Sequence, residues 1–262
     1  MNEQKTIITE DTIIEPFEYV RPVVVSYNIW GVKANALVLS FNRKLNTLSG
    51  GMGYRSARVI CNCYVPKDVS DYMHRYKRSW RTYLANVQNA IAAHYEISKN
   101  NISILSTGVN MMDLTHTTEC HEDLWVQAWV TAGFKHNAMR IGVDEASGVE
   151  RNNRFFPCGT VNIIVITNAQ LRLAVMAASF ISITEAKTIA FQDMNIRSSF
   201  NRSKQATGTG TDEILVVSGE DFKCRFVGGH TKLGEMMARA VTRACKEAIS
   251  KQLAKDPTYH NS

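Results

Sequence analysis

No two cysteines in this 262-residue chain are spaced as CxxC, although six are present: Cys61, Cys63, Cys120, Cys158, Cys224 and Cys245. Scattered thiols in a chain of this size read as reduced, mostly buried small hydrophobes, not as a disulfide framework or a zinc site. An HExxH metal helix and a Gly-Lys-Thr phosphate loop are absent as well. The N-terminus, Met1-Asn2-Glu3-Gln4-Lys5, has no apolar core to follow it, so no signal peptide is expected and the cytoplasm is the default location. Long apolar runs are scarce. The longest, residues 173–183, falls short of the roughly 20 residues that cross a bilayer, so no membrane partner is expected.

What is there is an ordinary globular balance, with 45% hydrophobic and 21% charged residues, which excludes wholesale disorder and allows one substantial core. The net charge is +6. Basic residues bunch at Arg75, Lys77, Arg78 and Arg81, and again at Arg197, Arg202 and Lys204. Tyr76, Trp80 and Tyr83 interleave with the first bunch, but at helical spacing, where packing explains them. A solvated face is therefore expected, and no nucleic-acid partner.

Two apolar runs, residues 22–28 and 35–41, predict a hairpin, and residues 56–65 a third strand. Residues 46–53 carry three glycines without periodicity and read as a loop whose backbone can approach a ligand. Apolar positions at Trp80, Tyr83, Leu84, Val87 and Ile91 mark an amphipathic helix over 79–97. Strands are expected at 102–106, 125–134, 214–217 and 224–227. The strongest is 160–167, β-branched nearly throughout and hence central. Long helices are expected at 171–195, apolar all round in its first half and so buried, and at 231–253 with Thr231 as its cap. Residues 135–153 read as a surface excursion. Strands and helices mix without regular βαβ alternation, so the fold class is α+β. A mixed, largely antiparallel sheet with three long helices is expected, in one domain over 1–262, with an arm at 1–20 and a frayed tail at 254–262.

Four segments carry chemistry-bearing residues. Thr207-Gly208-Thr209-Gly210-Thr211-Asp212 alternates glycines, which admit close backbone approach, with three hydroxyls and a carboxylate. Its plainer reading is a tight connection in which Asp212 bonds its own backbone. Glu185 and Lys187 lie in an apolar helix, where a charge is costly unless paired or functional, and about 200° apart around it, so they do not pair with each other. Gly228-Gly229-His230 precedes a helix N-terminus, a place for an anion or simply a turn and cap. Residues 113–123 hold His116 and His121 among acids, without closed ligand spacing, and read as an acidic loop in water.

In order, these segments resemble the adenosylcobinamide amidohydrolase family. The resemblance is carried by Ala206-Thr-Gly-Thr-Gly-Thr-Asp-Glu213, Gly159-Thr-Val-Asn-Ile-Ile-Val-Ile-Thr-Asn-Ala169, Thr184-Glu-Ala-Lys-Thr188 and His230-Thr-Lys-Leu-Gly-Glu235 with Arg239-Ala-Val241. Leu39-Ser40, Ser49-Gly50-Gly51 and Val130-Thr-Ala-Gly133 fall in the same order. The segment around residues 111–122 departs from the family pattern in being more polar and histidine-rich, and the loop after Asn46 is longer. The resemblance implies a cobalamin-salvage hydrolase that cleaves the aminopropanol amide of adenosylcobinamide, giving adenosylcobyric acid, with the corrinoid as substrate and no cofactor or metal required. It implies Asp212 or Glu185 as base, and His230 or Lys187 as acid for the leaving amine. Thr207, Thr209, Thr211 and the Gly208 and Gly210 amides would hold the oxyanion and substrate, with Thr131 beside them. Gly50 and Gly51 would help wall the macrocycle. A threonine nucleophile would need an activating base, and no histidine neighbours the loop in sequence. A non-catalytic tetrapyrrole-binding protein and a metal-dependent amidohydrolase remain alternatives, and whether the chain forms a homo-oligomer is open.

Overall fold

The computed structural model describes residues 6–76, 79–146, 160–257 and 259. Lys77, Arg78, Cys158 and Gly159, and parts of the expected arm, excursion and tail, lie outside the described residues. The chain divides into two compact units, Met1–Met112 and Asp113–Ser262.

The first unit is built on strands β1 (Ile8–Ile13), β2 (Val20–Ile29), β3 (Val32–Ser49) and β4 (Gly53–Tyr64), each antiparallel to the one before. Helices α1 (Lys67–Arg75) and α2 (Trp80–His94) follow, and then β5 (Ile102–Thr107), which runs parallel to β4. The expected hairpin is present as β2–β3. Its two-residue turn, Trp30-Gly31, has positive φ at both positions (53° and 85°), the geometry that matches the natural twist of paired strands.

The glycine-bearing loop expected at 46–53 is mostly strand. Leu45, Thr47 and Ser49 are buried and Asn46 is exposed, an alternation that carries β3 through a register shift to Ser49. Gly50 and Gly51 form only the hairpin tip, where the Met52 amide donates to Ser49 Oγ at 3.0 Å. Val69 and Met73 of α1 join Tyr83, Val87 and Ile91 of α2 over a sheet face of Val25, Tyr27, Val38, Cys61 and Cys63. Burial pushes the Cys61 and Cys63 thiols and the Tyr27 and Tyr83 phenols up from their usual ranges.

The second unit is β6 (Thr115–His121), β7 (Leu124–Ala132), β8 (Ala138–Met139), β9 (Val161–Leu171), α3 (Leu173–Asp193), β10 (Gly208–Thr209), β11 (Glu213–Cys224) and α4 (Lys232–Ala254). β9 is central, antiparallel to β7 and parallel to β11, and β6 lies antiparallel outside β7. Pairing is therefore mixed and largely antiparallel in an α+β fold, as expected, with three long helices and the shorter α1.

Four expectations change here. The acidic loop read over 113–123 is strand β6, because its pairing with β7 and cover by α4 override a sequence with no apolar alternation. The strand expected at 214–217 is part of the longer β11, which carries a bulge between Ser218 and Phe222 and ends at Cys224, so the second strand expected at 224–227 is not formed beyond its first residue. α3 buries one face, while Leu173, Ile181 and Ile189 lie on its exposed side. By length and composition it is also the one described helix that could cross a membrane, yet it packs on α4. Finally, Tyr259 in the expected frayed tail is buried, its hydroxyl donating to the Arg197 carbonyl at 3.2 Å and its ring set edge-on to Phe134.

α4 begins at its predicted cap, with Thr231 Oγ1 accepting the Gly234 amide at 3.0 Å. Ala240 and Ala244 let it approach β6 closely enough for Thr117 and Thr115 hydroxyls to donate to its carbonyls, both at 2.8 Å. The helix is thereby fixed lengthwise on the sheet.

Candidate functional site

The Gly/Thr loop folds back on itself because its two halves find different partners. Gly208 and Thr209 form β10 against β8, and the Gly210 amide donates to the Asn137 carbonyl at 3.2 Å. Thr207 is held on both sides, its amide and hydroxyl donating to the Met139 carbonyl and its hydroxyl accepting from the Ile141 amide at 3.1 Å. Thr188 of α3 donates to the Thr207 carbonyl at 3.1 Å. The Thr160 hydroxyl donates to the Thr211 carbonyl at 2.5 Å, and Asn137 Nδ2 to the Thr211 hydroxyl at 3.3 Å.

These contacts present the Asp212 carboxylate to four donors. Oδ1 accepts the Thr209 hydroxyl at 2.6 Å and the Val161 amide at 3.1 Å. The Thr209 amide is shared between the two oxygens at 3.1 Å each, and Oδ2 is ion-paired with Lys187 Nζ. Lys187 and Asp212 side chains are only 9% and 14% exposed. Such a pair is tolerated when hydrogen bonds complete the shells of both charges. Gly208 makes the arrangement attainable, since a Cβ there would collide with Asp212 Oδ2 and Lys187 Nζ.

Register extends the site into the sheet. Glu213, next to Asp212, lies level with Asn162 of β9, and Asn162 lies level with Thr131 of β7. Thr131, Asn162 and Thr209 are buried, and Thr160 Oγ1 lies 3.4 Å from Asn162 Oδ1. A polar row thus crosses one end of the sheet. Cys245 of α4 is fully buried near the ion pair. Burial pushes its thiol up to about 12, with Lys187 drawing it down and Asp212 pushing it further up.

Of the residues singled out from sequence, the structure brings together Asp212, Lys187, Thr207, Gly208, Thr209, Gly210, Thr211 and Thr131. It leaves Glu185 and His230 apart from these. Glu185 is on the exposed side of α3, as its 200° offset from the buried Lys187 requires. His230 is exposed in the turn before α4, its ring 6.3 Å from that of Phe226. β11 leads away from Asp212 toward that turn, and twelve helical residues lie between Lys232 and Cys245, so His230 stands on the order of 20 Å from the carboxylate. Gly50 and Gly51 belong to the first unit. The Gly210 amide, expected to hold an oxyanion, is engaged by Asn137, and the Thr209 amide by Asp212.

Sequence reasoning passed over Asn162, Thr160, Asn137 and Cys245. The available signal was Asn162, an amide interrupting a β-branched run. His116 and His121 are five residues apart on β6 and so point to opposite faces. Among the described residues no group of three or more His, Cys, Asp or Glu side chains is arranged to hold a metal ion.

Comparison with known proteins places this geometry in context. An uncharacterized protein of Methanocaldococcus jannaschii, MJ1613, is 40% identical over 231 residues, which is 84% of this chain and 88% of that one. The crystal structure of the PH0078 protein from Pyrococcus horikoshii OT3 covers 95% of this chain and 85% of its own, with a TM-score of 0.42 and 10% identity, too distant a likeness to carry an argument. The profile of the adenosylcobinamide amidohydrolase family matches residues 20–257, taking in the Gly/Thr loop, Lys187 and the polar row. The chain therefore belongs to the adenosylcobinamide amidohydrolase family.

Proposed function

We propose that this protein is a cytoplasmic corrinoid-salvage enzyme that hydrolyses the amide joining aminopropanol to the corrin side chain of adenosylcobinamide, releasing adenosylcobyric acid. Family membership supports the substrate class. The observation that carries the chemistry is the Asp212 carboxylate, bonded at 2.6 Å to the Thr209 hydroxyl and ion-paired with Lys187 in a largely buried site.

Amide cleavage needs a base for the attacking oxygen, positive charge or donors for the tetrahedral oxyanion, and a proton for the departing nitrogen. Asp212 takes the proton of the attacking oxygen and returns it to the amine. Lys187 has three ammonium hydrogens and gives one to Asp212, so its others stabilise the developing oxyanion. Burial sharpens both interactions, because charge is poorly screened there.

Incubating the purified protein with adenosylcobinamide and measuring free aminopropanol by mass spectrometry tests this. Stoichiometric aminopropanol and cobyric acid are expected. Tight corrinoid binding without release would replace the reading with that of a corrinoid-binding protein.

A further inference from the structure

Resting on the amidohydrolase reading, we infer that Thr209 is the nucleophile and that the reaction passes through an ester between Thr209 and the corrin acyl group.

The occupancy of the Asp212 carboxylate decides between this and direct attack by water. A carboxylate offers about four lone-pair sites. Four donors already fill them: Lys187 Nζ, the Val161 amide, the Thr209 amide and the Thr209 hydroxyl. Three of these are nitrogens fixed by the backbone or by the ion pair. A water molecule would have to displace one of them before Asp212 could deprotonate it. The Thr209 hydroxyl needs no such step, because its proton already points at Oδ1 across 2.6 Å, within the reach required of a nucleophile and its base. Lys187 on the opposite oxygen orients the base, the part a third group plays in nucleophile–base pairs generally. Thr209 is itself buried, at 3% exposure, but its neighbour Gly210 is exposed, so the loop opens to solvent one residue away.

The steps balance with water as the only co-reactant. Thr209 Oγ1 attacks the amide carbonyl carbon as its proton passes to Asp212. The tetrahedral species collapses with cleavage of the C–N bond, and Asp212 delivers that proton to the nitrogen, so aminopropanol leaves as the neutral amine. Thr209, now esterified, no longer donates to Oδ1, and a water molecule takes the vacated position. Asp212 removes a proton from this water as its oxygen attacks the ester carbon. The C–O bond to Thr209 breaks, and the proton on Asp212 returns to Oγ1. The same carboxylate serves both halves because acylation itself clears its second substrate site.

The test follows adenosylcobinamide turnover by the full chain in the presence of hydroxylamine. The wild-type protein is expected to divert product to the cobyric hydroxamate in proportion to hydroxylamine, and acid-quenched protein to carry the acyl mass on the peptide containing Thr209. Thr209→Ala should lose at least about 10³-fold in turnover and form no hydroxamate, whereas Thr209→Ser, which keeps the hydroxyl, should retain activity within about tenfold. Thermal melts of both variants report whether they fold, and the wild-type trapping result does not depend on either. Thr209→Ala turning over within tenfold of wild type, or wild-type release of aminopropanol with neither hydroxamate nor adduct, overturns the nucleophile and leaves the amidohydrolase reading intact. Absence of aminopropanol release from the wild-type protein sinks both.

Discussion

Lys187, on the buried face of α3, and Asp212, at the entry to β11, form an ion pair 25 residues apart in sequence that fastens the Gly/Thr loop to a helix. Breaking a buried pair by neutralising one partner leaves the other charge uncompensated, at a typical cost of about 3–5 kcal/mol. Asp212→Asn should accordingly lower the denaturation midpoint and abolish turnover together. A double-mutant cycle with Lys187→Met, read by urea unfolding, should return a coupling of about 1–3 kcal/mol. Coupling near zero would mean that the two side chains act independently.

Gly208→Ala tests the same packing from the backbone side. Its Cβ would enter the space held by Asp212 Oδ2 and Lys187 Nζ, and neither can move without releasing the other. Overpacking of this kind costs about 1–3 kcal/mol. Gly50→Ala, where a Cβ meets nothing within 4 Å, should leave the melting temperature unchanged. Equal losses at the two positions would show that the loop carries no packing constraint.

How much of this was legible in the sequence depends on where each residue gets its reason. α2, α4 and β9 announce themselves by periodicity or β-branching, and Thr231 caps α4 as its type suggests. The nine-residue α1 buries only Val69 and Met73, too few positions to establish a helical period. β6 reads as a loop because Thr, His, Glu and Cys become a strand only through pairing with Trp129 and its neighbours. The Gly/Thr loop could be recognised from composition. Its partner Lys187 stood out as a charge in an apolar helix, but joining the two required the parallel pairing of β9 with β11, which no local pattern encodes.

His116 stacks on Trp129 with ring centroids 4.4 Å apart and faces Glu247 and Lys251 of α4. Burial draws its pKa below the usual 6.5, with Lys251 adding to the effect and Glu247 opposing it. The folded state therefore favours the neutral ring. The sign follows directly: the stability this group contributes is complete above the unfolded value and declines as pH falls through 6.5 toward the lower folded value. His116→Gln should flatten the dependence of unfolding free energy on pH in that window, as measured by denaturant titration at several pH values. An unchanged slope would assign the pH dependence to other groups.

Glu185 and His230 provide the sharpest check on which residues form the site. Both carry suitable chemistry and both fall in segments that resemble the family, so a reading by residue type alone would make them base and acid. The structure gives them no route to Asp212: Glu185 is exposed on the far side of α3, and His230 lies in the exposed turn at the opposite end of β11. Proton transfer requires contact or one bridging water, which His230's separation on the order of 20 Å forbids and which Glu185, exposed on the side of α3 away from Lys187, lacks. Glu185→Gln and His230→Ala should therefore each leave kcat for adenosylcobinamide within about threefold of wild type, and surface substitutions of this kind typically shift stability by less than about 0.5 kcal/mol. A large fall in kcat for His230→Ala, with KM and melting temperature unchanged, would place the reaction at the N-terminus of α4 and away from the Gly/Thr loop.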